Sequence, residues 1–455
     1  MHIVVLNGSP KGKYSITLQT VLYWEAKFPE HTFEVLHVGQ SIRSIEKDFS
    51  SAREALERAD ALLFSYPVYT FLAPSQLHRF IELVKASGVN LCGKVATQIS
   101  TSKHFYDTTA HNYIRDNCHD LGLSYVKGLS ADMEDLTSQR GREEAESFFL
   151  HFLFCAENGI FERAPRAAAP YDSVLPSRRD AVEKSVEGDV LILTDLEESD
   201  TALAAMIEAT RARLPIPTRV INLREYPFSG GCLGCFRCAV SGKCIHKDGF
   251  DTYLRETIQT ASAILYAFRI SDHSMGARFK TYDDRQFCNG HRTVTVGMPI
   301  GYLVVGDLEA EENLSLVIEG RAEVGQNYIA GIVTDTGDVD CEIDRLAMNL
   351  TYALTNRYRQ PSGFLGVGGM KIFRDLIWRM RGLMRADHKF YKKHGIYDFP
   401  QKKPLQALVM YPVGWMLASP KVLAKMGNKM NEGMVAPYRK VVERVRAEQS
   451  DEQGR

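Results

Sequence analysis

Short apolar runs alternate with stretches in which apolar residues recur at helical spacing, and this alternation begins at the start of the chain. The run His2–Leu6 is followed by a polar, glycine-containing loop and by a helical pattern from Thr17 to Ala26. Strands that alternate with helices predict right-handed crossover units and a parallel sheet. The pattern predicts further strands at Thr32–His37, Ala61–Ser65, Lys94–Ser100 and Ser124–Lys127, and helices at Ser50–Arg58, Pro74–Ala86 and Thr109–Leu121.

The same alternation of predicted strands and helices resumes after an interruption. Residues 163–187 contain prolines, an alanine run and mixed charge, which predict a linker. The pattern beyond it predicts strands at Asp189–Thr194, Thr218–Leu223, Ser262–Phe268, Thr293–Met298 and Asn327–Val333, and helices at Ala202–Leu214 and Phe250–Thr260. We therefore predict two tandem α/β domains with doubly wound parallel sheets at residues 1–162 and 188–339, followed by a helical C-terminal extension at 340–455.

Composition limits the class of protein. The chain has 455 residues, of which 45% are hydrophobic and 24% charged, as in ordinary globular proteins. A net charge of −1 argues against a general nucleic-acid-binding role. Nine cysteines, four of them clustered, are more typical of a reducing compartment than of a disulfide framework, so we expect a cytoplasmic protein. The apolar start of the chain lacks a basic region and a cleavage site, and no apolar stretch is long enough to predict a spanning helix.

The four clustered cysteines follow the pattern C-x2-C-x2-C-x5-C at Cys232, Cys235, Cys238 and Cys244. Four sulfurs are the ligand count of a [4Fe–4S] cluster or of a structural zinc ion. Two-residue gaps rarely allow unstrained disulfides. The compact spacing favours an iron–sulfur cluster, because zinc sites usually divide into two cysteine pairs with a longer spacer. Zinc and free thiols remain the alternatives.

The C-terminal extension is basic. Residues 371–403 hold ten Lys or Arg against three Asp, with apolar residues interleaved, and an apolar stretch follows at residues 405–417. One interpretation is a solvated basic face whose apolar stripe packs on the body of the protein. The other is a peripheral membrane or partner contact through residues 371–418. The glycine-rich segment Gly363–Gly369 predicts a flexible turn before the basic helix.

Three loops of the first domain follow directly after predicted strands. The first lies between a strand and a helix, where backbone amides and the helix dipole favour an anion such as a phosphate. The others follow Ala61–Ser65 and Lys94–Ser100. All three leave the carboxyl ends of parallel strands, which is where ligands bind in open α/β sheets. The groups that suit a phosphate in the first loop are Ser9, Lys11, Lys13, Ser15 and Thr17.

These motifs carry a resemblance to a known family. Asn7–Thr17, Ser65–Tyr69 with Leu77-x-x-Phe-Ile81, and Ser100–His104 resemble the NADPH-dependent FMN reductase and iron–sulfur flavoprotein group, over roughly residues 1–150. The resemblance implies tandem flavodoxin-like domains, with FMN in the first. It further implies phosphate contacts from Ser9, Lys11, Ser15 and Thr17, flavin-ring contacts from Pro67, Val68, Tyr69 and Thr70, and contacts at the pyrimidine edge of the ring from Thr101, Ser102 and His104.

The second half resembles the same group through its cysteine motif and the segment Ser274–Arg285. The resemblance implies that the four cysteines ligate a [4Fe–4S] cluster that exchanges electrons with FMN. The counterpart of the first phosphate-type loop, Thr194–Asp200, has no glycine and four carboxylates, so we expect it not to hold FMN in the usual way. The first half in turn has no cysteine at Val38–Ser44, the position that corresponds to the cysteine motif.

This complementary loss predicts an intramolecular pseudo-dimer in which one FMN faces one cluster, with the cysteines close to Tyr69 and His104. We therefore expect a flavin-dependent oxidoreductase or electron-transfer protein that exchanges electrons with NAD(P)H and with small-molecule or protein partners, and that can form a homo-oligomer. The pattern singles out no catalytic acid or base. The alternatives are an NAD(P)H:quinone or nitro-compound reductase without a cluster, and a non-enzymatic redox sensor or scaffold.

Overall fold

Two parallel sheets organise this computed structural model, which describes residues 1–164, 171–399, 404–419 and 421. Residues 1–394 form one compact unit and residues 395–455 belong to a second. The strands of the first sheet are β1 (His2–Asn7), β2 (Thr32–Leu36), β3 (Ala61–Pro67), β4 (Val95–Ser102), β5 (Ser124–Tyr125) and β6 (Leu129–Asp132). Those of the second sheet are β7 (Val190–Thr194), β8 (Thr218–Asn222), β9 (Ala263–Arg269), β10 (Ile300–Val305) and β11 (Ile329–Thr334).

Helices connect and cover these strands. The first domain, residues 2–158, contains α1 (Ile16–Lys27), α2 (Val38–Lys47), α3 (Ser50–Arg58), α4 (Ser75–Ser87), α5 (Asp107–Asp120) and α6 (Gln139–Asn158). The second domain, residues 190–356, contains α7 (Thr201–Arg213), α8 (Arg237–Ser241), α9 (Phe250–Tyr253), α10 (Gly276–Arg285), α11 (Glu312–Gly325) and α12 (Val339–Asn356). The chain continues with α13 (Phe364–Arg379), α14 (Arg385–Lys393) and α15 (Pro404–Leu417).

The two sheets have the same strand order. The first is ordered β2-β1-β3-β4-β5, with β6 also paired to β4, and the second β8-β7-β9-β10-β11. The strand pairs within both sheets are parallel. This is the doubly wound order of flavodoxin-like folds. The prediction of two tandem flavodoxin-like sheets with a helical C-terminal region is confirmed.

Helices on both faces explain why the strands read as continuous apolar runs. Nearly every residue of β1 is buried, and every residue of β10 is buried. One apolar cluster continues across the domains, from Tyr66 and Phe80 in the first to Phe250 and Phe279 in the second. The domains therefore share a core.

The predicted strand at Thr293–Met298 is wrong, because the strand lies at β10 instead. Residues 294–297 form turns, and Thr293, Val294 and Thr295 line a cavity. The alternation of threonine and valine imitates a strand, but Pro299 ends this segment and cannot donate a ladder hydrogen bond. The buried run that follows Pro299 supplies the central pairing with β9 and β11.

The predicted flexible turn at Gly363–Gly369 is also wrong, since most of this segment lies inside α13. A Cβ atom at Gly366 would stand 2.5 Å from the carbonyl oxygen of Glu323, and one at Gly369 would stand 2.7 Å from a methyl group of Val324. These glycines let α13 pack directly against α11, and this contact compensates for their low helix propensity.

The segment before β7 runs along the second domain. The amides of Val174, Val182 and Val186 donate to the carbonyl oxygens of Asp335, Ala212 and Pro215 at 2.7, 2.8 and 2.9 Å. The same segment contacts α12, where Arg179 pairs with Asp344 at 2.9 Å, and Ile343, Leu346 and Leu350 of α12 pack in the same core as β7 and β9.

Helices α4 and α10 form a reciprocal contact between the domains. A carboxylate oxygen of Asp284 on α10 accepts from the amide of Ser75, at the start of α4, at 2.7 Å. A carboxylate oxygen of Glu82 on α4 accepts from the amide of Ala277, at the start of α10, at 2.7 Å. Each helix thus supplies an anion to the positive N-terminal end of the other.

The basic C-terminal segment is anchored through its apolar residues. Three of these residues are fully buried within the first unit: Ile377 of α13, Tyr391 of α14, and Met384 between the two helices. In the second unit, α15 is apolar and exposed, with Leu405 at 78%, Tyr411 at 66% and Trp415 at 79% of their maximal accessibility. Among the described residues, no helix is long and apolar enough to cross a membrane.

Candidate cofactor site

A cavity of about 370 Å³ lies between the two domains. Three first-domain loops reach it: the first loop (residues 8–15), the second loop (67–72) and the third loop (101–106). The cysteine loop (231–245) of the second domain reaches it from the opposite side. The predicted site residues that line this cavity are Ser9, Lys11, Ser15, Thr17, Pro67, Val68, Tyr69, Thr70, Thr101, Ser102, Cys232, Cys235, Cys238 and Cys244.

The first loop is built as an anion cradle. Ser15 caps α1 by accepting from the amide of Leu18 at 3.3 Å, which leaves its hydroxyl hydrogen free to donate. Asn7 fixes the loop by donating to the carbonyl oxygen of Gly12 at 3.0 Å and by accepting from the amide of Ser9 at 3.2 Å. The first turn of α1 contains no acidic residue. The loop therefore offers amides, hydroxyls and a helix N-terminus to a phosphate.

Lys11 links the first loop to the cysteine loop. Its ammonium group lies 5.7 Å from the ring centroid of Phe236, within cation–π range. Burial lowers the pKa of Lys11 below its ordinary value, and the nearby thiols of Cys235 and Cys232 oppose this shift. The cation thus stands where an anion in the first loop and negative charge on the cysteines would both stabilise it.

The second loop is a strained turn. Tyr69 and Leu72 exchange backbone hydrogen bonds of 2.8 and 3.1 Å, and between them Thr70 and Phe71 have φ values of 40° and 73°. Residues other than glycine rarely adopt such left-handed backbone conformations. The turn directs the Tyr69 ring against Phe287 of the second domain, with centroids 5.8 Å apart.

The third loop contributes unevenly. Thr101 and Ser102 are buried, and the hydroxyl groups of Thr101 and Thr17 are hydrogen-bonded at 2.6 Å. His104 does not line the cavity. Its Nδ1 instead lies 2.7 Å from a carboxylate oxygen of Asp107, and its side chain is half exposed.

The cysteine loop is docked onto the first domain. Gln76 donates to the carbonyl oxygen of Cys232 at 3.3 Å, and a Cβ atom at Gly231 would stand 2.4 Å from the Ser75 hydroxyl oxygen. On the second-domain side, Arg285 donates to both carboxylate oxygens of Asp248 at 2.8 and 2.7 Å, and to the carbonyl oxygen of Gly230 at 2.8 Å. Both ends of the loop are therefore fixed.

The four cysteines are free thiols. Burial raises the pKa of Cys232 and raises that of Cys238 to about 11, as expected without a bound cation. No group of three or more His, Cys, Asp or Glu side chains in the described part of the chain is gathered so that it could hold a metal ion. Four thiols that line one cavity match the ligand count of a [4Fe–4S] cluster or of a structural zinc ion.

Sequence reasoning missed the aromatic wall of the cavity. Phe373 of α13 stacks on Phe105 with ring centroids 4.3 Å apart, and His291 lies against Phe373 at 5.1 Å. The hydroxyl group of Tyr106 donates to the carbonyl oxygen of Leu365 at 3.0 Å. Helix α13 thus closes one side of the cavity. The interleaved apolar positions at residues 371–384 were the signal, but they do not reveal which surface they cover.

The corresponding loops of the second domain line another cleft, of about 810 Å³. Arg269, at the end of β9, donates to both carboxylate oxygens of Asp200 at 2.8 and 2.7 Å. Burial raises the pKa of Asp195, which follows β7, to about 7. The loops that follow β7 and β9 therefore present carboxylates and an arginine paired with Asp200, where the first domain offers hydroxyls and lysine.

The fold of the first domain also matches a known family model. A family model described as a flavodoxin-like fold matches residues 1–147. An iron-sulfur flavoprotein from Archaeoglobus fulgidus is 28% identical over 173 residues, which is 36% of this chain and 78% of that protein. Among solved structures, an NAD(P)H:quinone oxidoreductase from Methanothermobacter marburgensis is 16% identical, with a TM-score of 0.28, over 36% of this chain and 99% of that one. An FMN-dependent NADH-azoreductase from Bacillus anthracis is 13% identical, with a TM-score of 0.28, over 35% and 100%.

Proposed function

We propose that the flavodoxin-like domain of residues 1–147 binds FMN, and that this chain is a flavin-dependent oxidoreductase whose second domain carries a [4Fe–4S] cluster. One observation carries the proposal. Three loops of the first domain and all four cysteines of the second line the same cavity. The named iron-sulfur flavoprotein relative supports the pairing of these two groups.

In this proposal the first domain holds the flavin. Ser9, Ser15 and Thr17 donate hydroxyl hydrogens to the phosphate, and Lys11 supplies charge to the same group. The second loop lies along the flavin ring. When bound, FMN supplies both one-electron and two-electron transfer. The apolar wall at Phe287 and Phe373 excludes water from the space beside the ring.

The second domain supplies the cluster in the same proposal. Cys232, Cys235, Cys238 and Cys244 bind as thiolates, and the Lys11 ammonium group stabilises the negative charge nearby. A bound cluster exchanges single electrons. The two domains therefore act as an intramolecular pseudo-dimer that connects a two-electron donor such as NAD(P)H with one-electron partners. The proposal assigns no acid or base residue, since hydride transfer requires none.

The test is anaerobic purification of the full chain, followed by reconstitution and quantification of flavin, iron and sulfide. We expect about one FMN, four iron and four sulfide per chain. One flavin without iron or sulfide would favour an NAD(P)H:quinone or nitro-compound reductase. Two flavins without iron would contradict the proposed division of roles between the domains.

A second proposal concerns α15, which we infer lies at a lipid surface. The helix has 14 residues without a charged side chain, and its described large apolar residues are exposed. It is shorter than the roughly 20 residues of a spanning helix. Tryptophan and tyrosine favour the membrane interface, and the lysines that flank the helix in the sequence, Lys402, Lys403 and Lys421, suit anionic headgroups.

A further inference from the structure

Lys280, on α10 of the second domain, is fully buried beneath the second loop of the first domain. Its ammonium group donates to the carbonyl oxygen of Tyr69 and to the hydroxyl oxygen of Thr70, both at 2.9 Å. The third donor is directed at a carboxylate oxygen of Asp284. All three donors of this lysine are therefore used, and two of them hold a loop that belongs to the other domain.

The charge of Lys280 is balanced within a buried group. Asp284 and Asp283 both contact the ammonium, the latter at 3.3 Å, and Arg321 pairs with Asp283. Asp284 also accepts from Thr70 at 2.9 Å and from the amide of Ser75 at 2.7 Å. Two cations and two anions thus form a neutral group that connects α10, the second loop and the start of α4. A buried charge without such partners would be strongly unfavourable.

The loop held by Lys280 is the strained one. Thr70 and Phe71 have left-handed backbone conformations, which persist only where the surroundings impose them. Lys280 contacts the carbonyl oxygen that precedes these two residues and the side chain of the first of them. A cation from the second domain is therefore one of the groups that fix this turn.

The second domain contains a turn that can be compared with the second loop of the first domain. In the second domain, Ser271 and Ser274 exchange backbone hydrogen bonds of 2.9 Å, and Asp272 and His273 between them have φ values of 50° and 60°. This turn has the same shape as the second loop. Ala277 and Ser75 occupy equivalent positions, because each donates its amide to a carboxylate of the opposite helix. Three residues further along each helix, Lys280 therefore corresponds to His78.

His78 provides no cation. It is fully buried, its ring stacks on Tyr113 with centroids 3.9 Å apart, and burial holds its pKa well below the ordinary value. The imidazole is therefore neutral. Of the two equivalent helix positions, one carries a lysine that holds the second loop and the other carries a neutral ring. The cation that contacts the counterpart turn is Lys85, which pairs with Asp272 at 2.8 Å.

We propose that Lys280 is a positioning residue that shapes the flavin-ring turn of the first domain and neutralises the carboxylate of Asp284 that contacts this turn. This inference rests on the proposed function. Within the neutral group the ammonium offsets the Asp284 carboxylate, whose uncompensated charge would disfavour the reduced, anionic flavin and lower the reduction potential. Flavin affinity and potential in the first domain are thereby set by a residue of the second.

The test uses the full chain with Lys280→Met, Lys280→Arg and the charge-matched double variant Lys280→Met with Asp284→Asn. The Kd for FMN is measured by quenching of flavin fluorescence, and the midpoint potential by spectroelectrochemistry. We expect Lys280→Met to weaken FMN binding at least tenfold and to lower the potential. Lys280→Arg should recover most of the potential, because it keeps the charge. The double variant removes one cation and one anion, so it should restore the potential but keep the weakened FMN binding, because the turn has still lost the donors of Lys280.

Lys85→Met is the matched control. Lys85 also crosses between the domains, with ion pairs to Asp272 at 2.8 Å and Asp120 at 2.6 Å, but it lies away from the second loop. It should leave the FMN affinity and potential unchanged. Wild-type FMN affinity in a folded Lys280→Met or double variant would overturn this inference alone. Failure of the wild-type chain to bind FMN would overturn the proposed function and this inference with it.

Discussion

The hydroxyl oxygen of Tyr69 lies directly against Gly234, so closely that a Cβ atom at residue 234 would stand 1.8 Å from it. Gly234 also has a φ of +59°, which favours glycine. Tyr69 belongs to the second loop and Gly234 to the cysteine loop. The two loops therefore touch at a point where no other residue type fits without displacement of one of them.

Gly234→Ala should displace either the cysteine loop or the Tyr69 ring. We expect iron retention and FMN affinity to fall together, each by about tenfold, because one clash affects both loops. The readouts are iron content after anaerobic reconstitution and the Kd for FMN. Gly242→Ala is the control: Gly242 has a φ of +75° in the same loop, but its nearest neighbour is 3.4 Å away on Arg292. Equal losses in both variants would indicate loop strain rather than the Tyr69 contact.

Serine at any one of the four clustered cysteines should remove most of the bound iron and leave FMN in place, because the flavin contacts come from the other domain. Cys235→Ser is the mildest choice, since Cys235 is exposed. Iron, sulfide and flavin are quantified per chain. Cys288→Ser is the control, because Cys288 lines the same cavity but lies outside the motif. Loss of iron in the control alone would show that the ligand set is wrong.

His273 should make stability fall at alkaline pH. Burial opposes its charged form, but hydrogen bonds from the imidazole to Asp120 and Glu311 raise its pKa to about 10. The pKa in the unfolded chain is lower, near 6.5. The stabilisation is therefore complete below about pH 6.5 and is lost as the pH rises toward 10.

The matched variant is His273→Asn, because asparagine tolerates the left-handed backbone at this position. After allowance for solvent screening we expect the wild type to lose about 1–2 kcal/mol between pH 6.5 and 10 beyond the loss seen in the variant. Urea unfolding of both proteins at a series of pH values measures the free energy of unfolding. Parallel curves for the two proteins would contradict the assignment.

Helix α15 should bind anionic membranes. The full chain is expected to co-sediment with vesicles of phosphatidylglycerol and much less with vesicles of phosphatidylcholine, and Trp415→Glu should abolish this. Met348→Glu is the control, since Met348 is equally apolar and 65% exposed but lies on α12. Absence of co-sedimentation with either lipid, or equal loss in both variants, would refute a lipid contact at α15.

The sequence predicts the sheets well because helices cover both of their faces. A run such as Ala61–Ser65 cannot be exposed, so its pattern leaves little choice. The error at Thr293–Met298 arises because alternation alone does not distinguish a strand from a segment that lines a cavity. Helix α2 is absent from the prediction, because Val38–Ser44 enters it only as the counterpart of the cysteine motif.

The candidate site is predictable only within each domain. The spacing of Cys232–Cys244 and the polar loop at residues 8–15 are local signals. Nothing in the sequence distinguishes Lys280 from a surface lysine on an amphipathic helix, because its burial depends on the docking of the other domain. The position of Phe373 over the cavity depends in the same way on the packing of α13 against α11.

The reciprocal caps between α4 and α10 have a consequence for how the two pockets can diverge. In a symmetric dimer of identical chains, every residue of the interface occurs twice, and a substitution that suits one pocket is imposed on the other. Within one chain each position occurs once. Residues 78 and 280 can therefore be histidine and lysine, and the two equivalent helix positions can differ in charge. Joining the domains in a single polypeptide releases the interface from self-complementarity, and each pocket can specialise without compromising its neighbour.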